Sequence, residues 1–290
     1  MFAPSRREQM RLRMALQGPA GSGKTFTAMT LAQGLSPDGR FAVIDTEQRA
    51  LEYSDRFAFG HLAPSVADPE QLPGMVAAAA AEGFGALIVD SFSLYWSGVG
   101  GALDRVDRKA DKRAGWGEYR PIEAKMMRAL LGFPGHVIVT MRVKTEYVTE
   151  QDQRGRMVTR RLGLKADQRD SVDYEFSVIG EMDTDHALTV VKSTCAALTD
   201  QRLERPGADL VETLAAWLGQ GEPAPDATTF RDRALVKDAT QPDIRALYDD
   251  AKRRNLLGAV LVNEVGEPEE LGALLVRLGK AAPMPQAVTA

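Results

Sequence analysis

Four residues in one eight-residue stretch have the types and spacing to hold a triphosphate. Gly18, Gly23, Lys24 and Thr25 complete the pattern G-x-x-x-x-G-K-[ST] within GPAGSGKT. Such a loop turns its backbone N–H groups inward to cradle phosphates, and the helix that follows adds its positive end. The whole run from Gly18 through Pro19, Ala20, Gly21, Ser22, Gly23, Lys24 and Thr25 to Phe26 is the expected cradle. Lys24 brings a point charge to the β- and γ-phosphates, and the Thr25 hydroxyl is a ligand for Mg²⁺. ATP and Mg²⁺ are the cofactors this chemistry calls for. Hydrolysis needs two further groups: a carboxylate to organise the metal and a base to orient the attacking water. Asp90, closing the apolar run ALIVD, is the candidate for the first, so the metal set is Thr25 and Asp90. Ser91 follows it, where many ring ATPases carry glutamate. A glutamate does follow the other short apolar run, as Glu47 in FAVIDTEQ.

The elements that must position these residues can be read from the apolar pattern. Met10–Leu16 alternates basic with apolar and predicts a strand entering the loop, and Phe26–Leu35 predicts the helix leaving it. Phe41–Asp45, Ala86–Asp90 and His136–Met141 are short continuous apolar runs, the pattern of parallel strands covered on both faces. An alanine-rich helix is expected over Pro69–Glu82 and another over Pro121–Leu131. Lys144–Gly163 reads as a β-hairpin with a polar tip, Tyr174–Ile179 and Ala187–Lys192 as later strands, and Ala208–Leu218 as an amphipathic helix. Residues 219–227 have linker composition. Helical patterns at Thr229–Ala239, Asp243–Asn255 and Glu269–Lys280 make residues 228–282 a small three-helix appendage, with 283–290 a disordered tail. The expected class is α/β: a P-loop core over residues 1–218 with a mostly parallel sheet flanked by helices.

Composition bounds the rest. A chain of 290 residues with 44% hydrophobic and 26% charged residues is ordinary for a globular protein of this length. The formal charge of −4 excludes a uniformly basic coat and leaves room for local basic grooves. Cys195 stands alone, so no internal disulfide can form and a reducing compartment is expected. No apolar run reaches the roughly 20 residues that span a bilayer, and MFAPSRREQMR lacks a signal-peptide core. A cytoplasmic protein with no membrane partner is expected. His61, His136 and His186 show no ligand spacing.

The set GPAGSGKT, FAVIDTEQRALEY and ALIVDS resembles the RecA-like ATPase core, and TMRVKTEY, the YEF strand and VVKST resemble its phage-encoded branch, part of which acts in single-strand annealing recombination. The resemblance spans roughly residues 12–218. It implies Glu47 as catalytic base and Asp90 as the Mg²⁺-organising acid. Thr140, ending the fourth strand, stands where a polar residue senses the γ-phosphate, although a satisfied strand-end hydroxyl accounts for it as well. Such proteins usually carry glutamine just past this strand, and Met141 stands here. Lys192 resembles a lysine that reaches a neighbouring subunit's γ-phosphate, which implies self-assembly into a ring or filament. Tyr53 reads as a half-buried core residue, with adenine stacking the alternative.

In RecA-like cores single-stranded DNA binds two loops after the third and fourth strands, and both matching regions here are basic. Over Leu103–Arg128 eight cations face five acids, and over Arg142–Asp170 the numbers are the same. The candidate DNA contacts are Arg154, Arg156, Arg160, Arg161 and Lys165 in the hairpin and Lys112, Arg113 and Trp116 in the first region, with Tyr119 and Tyr147 as further stacking groups. A solvated charged helix and an ordinary surface hairpin remain the plain alternative. The leading expectation is therefore a DNA-stimulated ATPase of phage-type recombination. A motor or loader that remodels a replication or recombination protein, with the C-terminal helices as the candidate contact, is the second. A nucleotide-gated scaffold is the third.

Overall fold

The continuous apolar runs become the middle of a sheet because both of their faces are covered. The structure is a computed structural model that describes residues 7–151 and 157–283, with side chains undescribed at 145–151, 157–164 and 170. Its strands are β1 (Arg13–Gly18), β2 (Phe41–Asp45), β3 (Gly60–Leu62), β4 (Ala86–Asp90), β5 (His136–Gln151), β6 (Met157–Ala166), β7 (Val178–Met182), β8 (Ala187–Ser193) and β9 (Arg202–Glu204). Among the described residues they form a nine-stranded sheet in the order β3-β2-β4-β5-β1-β7-β8-β9, with β6 paired to β5 alone. The pairs from β3 to β7 are parallel, and β8 and β9 close the edge antiparallel.

Alternate residues of each central strand enter different cores, as the two-residue period of a pleated strand requires. Phe41, Val43, Ile88, Ile138 and Leu16 face α1 (Lys24–Leu35) and α6 (Ala208–Leu218), which contribute Met29, Leu31, Leu210 and Trp217. Ala42, Ile44, Leu87, Val89, Val137 and Val139 face α2 (Leu72–Ala81) and α5 (Lys112–Leu131), which contribute Val76, Met126 and Leu130. Two short helices, α3 (Leu94–Ser97) and α4 (Ala102–Asp107), lie between β4 and α5. Arg13 locks β1 to the end of α5: its guanidinium donates to Leu131 O at 2.7 and 2.9 Å, Phe133 O at 2.5 Å and Gly135 O at 2.8 Å. One half-buried cation thus serves several carbonyls at and beyond the helix end.

Several expected boundaries move. The helix expected from Pro121 begins at Lys112 and runs through the proline. Asp111 caps it, accepting from Arg113 N at 2.8 Å and Ala114 N at 3.3 Å, and burial of Gly115 and Tyr119 holds the turns before the proline. Tyr119, expected among base-stacking groups, is 3% exposed and belongs to the packing of that face. The fourth strand and the hairpin are one element: β5 leaves the sheet and continues into an antiparallel ribbon with β6, from Val143↔Ala166 to Gln151↔Met157. The strand expected at Tyr174–Ile179 lies at Val178–Met182, where it pairs β1 up to Gln17↔Glu181, while Asp170–Tyr174 forms a 3-10 turn.

The C-terminal residues hold α7 (Ala227–Ala234), α8 (Gln241–Arg253) and α9 (Leu271–Ala281) around Phe230, Ile244, Leu274 and Leu275. The purely helical expectation misses a small antiparallel sheet, β10 (Val260–Val262) with β11 (Pro268–Glu270). Its turn is set by Asn263, whose Oδ1 accepts from Val265 N at 3.1 Å and Glu267 N at 2.9 Å. The stretch of linker composition is tied down: Gln9 N donates to Glu222 O at 2.9 Å and Glu222 N to Arg7 O at 3.0 Å. The expected tail, apart from Pro283, lies outside the described residues. Among the described residues no helix is long and apolar enough to cross a membrane.

Candidate active site

β1 ends at Gly18 and α1 begins at Lys24, so the intervening residues must reverse direction in one tight loop. Gly21 and Gly23 supply the left-handed turns, at φ 77° and 92°. Gly18 answers a different demand, since a Cβ there would stand 2.5 Å from Met182 O and 2.8 Å from Ser22 Oγ. The backbone of β7 therefore presses against the loop. Lys24 folds back over it, Nζ donating to Gly18 O at 2.9 Å and Pro19 O at 2.8 Å. Burial lowers the pKa of this ammonium, Asp90 and Glu47 push it back up, and Arg142 lowers it further. The four groups thus share one electrostatic neighbourhood.

Asp90 is the centre of that neighbourhood. β5 lies between β4 and β1, yet the Thr25 hydroxyl at the start of α1 donates to Asp90 Oδ2 at 2.6 Å. The Thr140 hydroxyl on β5 donates to Asp90 Oδ1. Burial raises the Asp90 pKa, the two hydroxyl bonds lower it, and Glu47 and Asp45 raise it. A buried carboxylate beside a threonine hydroxyl is a hard-oxygen donor pair that fits Mg²⁺. Thr25 and Asp90 would hold the ion, which when bound offsets the charge of phosphate oxygens. Thr140, expected to sense phosphate, is engaged with Asp90.

The loop that carries Glu47 is fixed at both ends. Thr46 N donates to Asp90 O at 2.7 Å, and the Thr46 hydroxyl donates to Ser91 O at 3.0 Å and accepts from Ser91 N at 2.8 Å. The Asp90–Ser91 peptide is cis. Farther along, Ala50 N donates to Asp45 Oδ2 at 2.8 Å, an oxygen that also meets His61 Nε2 at 3.1 Å. Glu47 itself accepts from Arg142 Nε at 2.9 Å. Neither Arg142 nor the Asp45–His61 pair stands out in the sequence. Asp45 reads as the polar end of a strand, and Arg142 as one cation among eight. The available signal for Arg142 is its place directly after the strand that neighbours β1.

The remaining candidates lie apart from this cluster. Phe26 is 40% exposed and packs edge-on to Phe57 and near Tyr53, which is half-buried against the core. Lys192 Nζ donates to Asp173 O at 2.6 Å and lies 5.8 Å from the centre of the Tyr174 ring. Lys112 pairs with Asp107 at 2.8 Å, Arg113 is exposed at the start of α5, and Trp116 packs on Trp96 with centroids 5.6 Å apart. In the ribbon Lys165 stands opposite Lys144, and Arg160 and Arg161 stand opposite Val148 and Tyr147. Arg154 and Arg156 lie outside the described residues. Cys195 is buried in the core, as expected.

Comparison with curated proteins finds no match to the chain. The phosphate loop, the Thr25–Asp90 pair and the strands between them all fall within the AAA domain, whose family model matches residues 10–204, and the chain belongs to that family of P-loop ATPases.

Proposed function

We propose that the protein binds single-stranded DNA in an ATP-dependent manner and serves phage-type recombination or annealing, hydrolysing ATP at the boundary between subunits. One observation carries the reading. The strand that supplies Thr140 to the Asp90 cluster runs without interruption into the β5–β6 ribbon, so one element joins the nucleotide site to a basic projection. In the reaction Lys24 offsets phosphate charge, Asp90 and Thr25 would hold a Mg²⁺ ion that adds to this, and Glu47 accepts a proton from the water whose oxygen bonds to the γ-phosphorus as the bond to the ADP oxygen breaks. Lys192, half-buried near the end of β8, reaches a γ-phosphate bound by the adjacent copy. Arg154, Arg156, Arg160, Arg161 and Lys165 follow the DNA backbone.

The test is the ATPase rate with and without single-stranded DNA at low and moderate salt. Stimulation that falls with salt and disappears in the double variant Arg160→Ala, Arg161→Ala supports the reading. The second reading, an ATPase that remodels a partner protein, draws on the other basic region. There Arg105, Arg108, Lys109 and Lys112 are all paired with nearby carboxylates, which leaves less charge for a DNA backbone. Hydrolysis indifferent to DNA would favour it.

A further inference from the structure

Arg142 stands at a junction. It is the last residue that β5 shares with the strand of the phosphate loop, in the pair Gly18↔Arg142, and the next residue, Val143, already pairs with β6. Its backbone is pinned on both sides. The N–H donates to Ser93 Oγ at 3.0 Å, and the carbonyl accepts from Asp167 N at 2.7 Å. What remains free to move is the side chain, 49% exposed, whose Nε holds Glu47 Oε1 at 2.9 Å.

Two physical consequences follow from that ion pair. A carboxylate oxygen engaged by a guanidinium has its lone pair occupied and its position fixed, so it is not available to a water molecule. An anion arriving at Lys24 enters the field of Arg142 as well, because both cations already act on each other across the loop. A terminal phosphate offers a guanidinium more charge and more acceptor oxygens than a single carboxylate does. The pair is also exposed enough to be exchanged at little cost.

We propose that Arg142 is a latch on Glu47 that responds to the γ-phosphate. Without a nucleoside triphosphate it holds the carboxylate, and a terminal phosphate beside Lys24 draws the guanidinium away and leaves Glu47 free to orient water. Because Arg142 opens the ribbon, the same exchange moves charge at the ribbon's root. ADP has no terminal phosphate to compete and leaves the pair closed. The latch rests on the ATPase reading and adds a positioning residue to it.

The test is equilibrium binding of Mg²⁺–ADP and of the Mg²⁺ complex of a non-hydrolysable imido analogue of ATP to the full chain. Arg142→Ala is expected to weaken the analogue by about tenfold, the loss of one charge-assisted contact, with ADP affinity unchanged within about twofold. Arg142→Lys restores part of the loss. Glu47→Gln removes the competitor for the guanidinium, so it tightens the analogue in the natural background and not in the Arg142→Ala background. Equal weakening of both nucleotides by Arg142→Ala, no weakening of either, or a Glu47→Gln effect identical in the two backgrounds overturns the latch. Those results leave the ATPase reading intact so long as binding is lost in Lys24→Ala. Binding that survives Lys24→Ala removes both.

Discussion

Asp90 and Asp104 are both aspartates with two partners, and the difference between them separates two regions of the molecule. Asp90 is 6% exposed and takes its hydroxyl bonds from Thr25 and Thr140, 65 and 50 residues away. Asp104 has a 30% exposed side chain, and its partners are Arg108, four residues on, and the amide of Gly100. Burial raises the pKa of the first, and the Gly100 amide lowers that of the second. The first arrangement exists only when the sheet is assembled, since three separate elements must meet. The second needs little beyond a local turn and helix. Buried charge with few fixed partners is where fields are strong enough for chemistry, and exposed paired charge is screened by water and salt. The same contrast extends outward. Lys24 and Glu47 belong to the assembled kind, and Arg108, Lys109 and Lys112 to the local kind.

The largest expected effect is at the assembled site. Lys24→Ala removes the cation that folds over the loop, and nucleotide affinity is expected to fall roughly 100-fold or more, as its charge-assisted contacts to the β- and γ-phosphates are lost. Titration with a fluorescent ATP analogue measures it, and a change of only a few-fold would mean that the loop holds its ligand by backbone alone. Next comes pH. His136 is buried and accepts from Leu12 N through Nδ1 at 3.0 Å, and burial with Arg11 and Arg13 nearby lowers its pKa to about 4. A depressed folded-state value means stability that is complete above the ordinary histidine value of 6.5 and drains away as pH falls toward 4. Between those limits the loss is expected to approach about 3 kcal/mol, read by urea unfolding at each pH. His136→Gln, which keeps an acceptor for Leu12 N, flattens that slope.

Asp90 gives a smaller effect of the opposite sign. A raised carboxyl pKa in the folded state contributes stability below the unfolded value of 3.8, and this is lost as pH rises through the raised value. At neutral pH, without nucleotide, the buried charge is a burden. Asp90→Asn is therefore expected to stabilise the free protein at pH 7, with the gain fading as pH falls toward 3.8, while slowing hydrolysis on the order of 100-fold. Thermal unfolding against pH checks the first, and a steady-state assay the second. An Asp90→Asn protein that is less stable at pH 7 would show that the two threonine hydroxyls outweigh burial.

The contrast between assembled and local charge also explains what could be read in advance. GPAGSGKT carries its geometry within one stretch, and FAVID and ALIVD are apolar throughout because both sides of the sheet are covered. Those features are local, so they were legible. The role of Arg142 depends on which strand lies beside β1, a fact of topology and not of neighbouring residues. Pro121 looks like a helix start because proline suits a first turn, and only the burial of Tyr119 reveals the turns before it. The three-residue strands β10 and β11 are too short to show a period. The ribbon was legible as a hairpin, whereas its continuity with β5 was not, since nothing in the chain marks where a strand leaves one partner for another.

The smallest expected effect lies on the local side. Lys112 pairs with Asp107 at 2.8 Å, with side chains 53% and 74% exposed, at the start of α5. A pair so exposed contributes about 0.2–1 kcal/mol, and a cation in a first helical turn opposes the helix dipole, which offsets part of that. Lys112→Ala is expected to change stability by less than about 0.5 kcal/mol. If the charges of α4 and α5 serve only each other, single-stranded DNA affinity stays unchanged and its salt slope keeps its value. If Lys112 releases Asp107 to meet a phosphate, the slope of log affinity against log salt falls by about 0.7, the share of one single-strand phosphate contact. A slope that falls would move this surface into the functional half of the molecule and make its pairs a resting arrangement, much as the Arg142–Glu47 pair is at the nucleotide site.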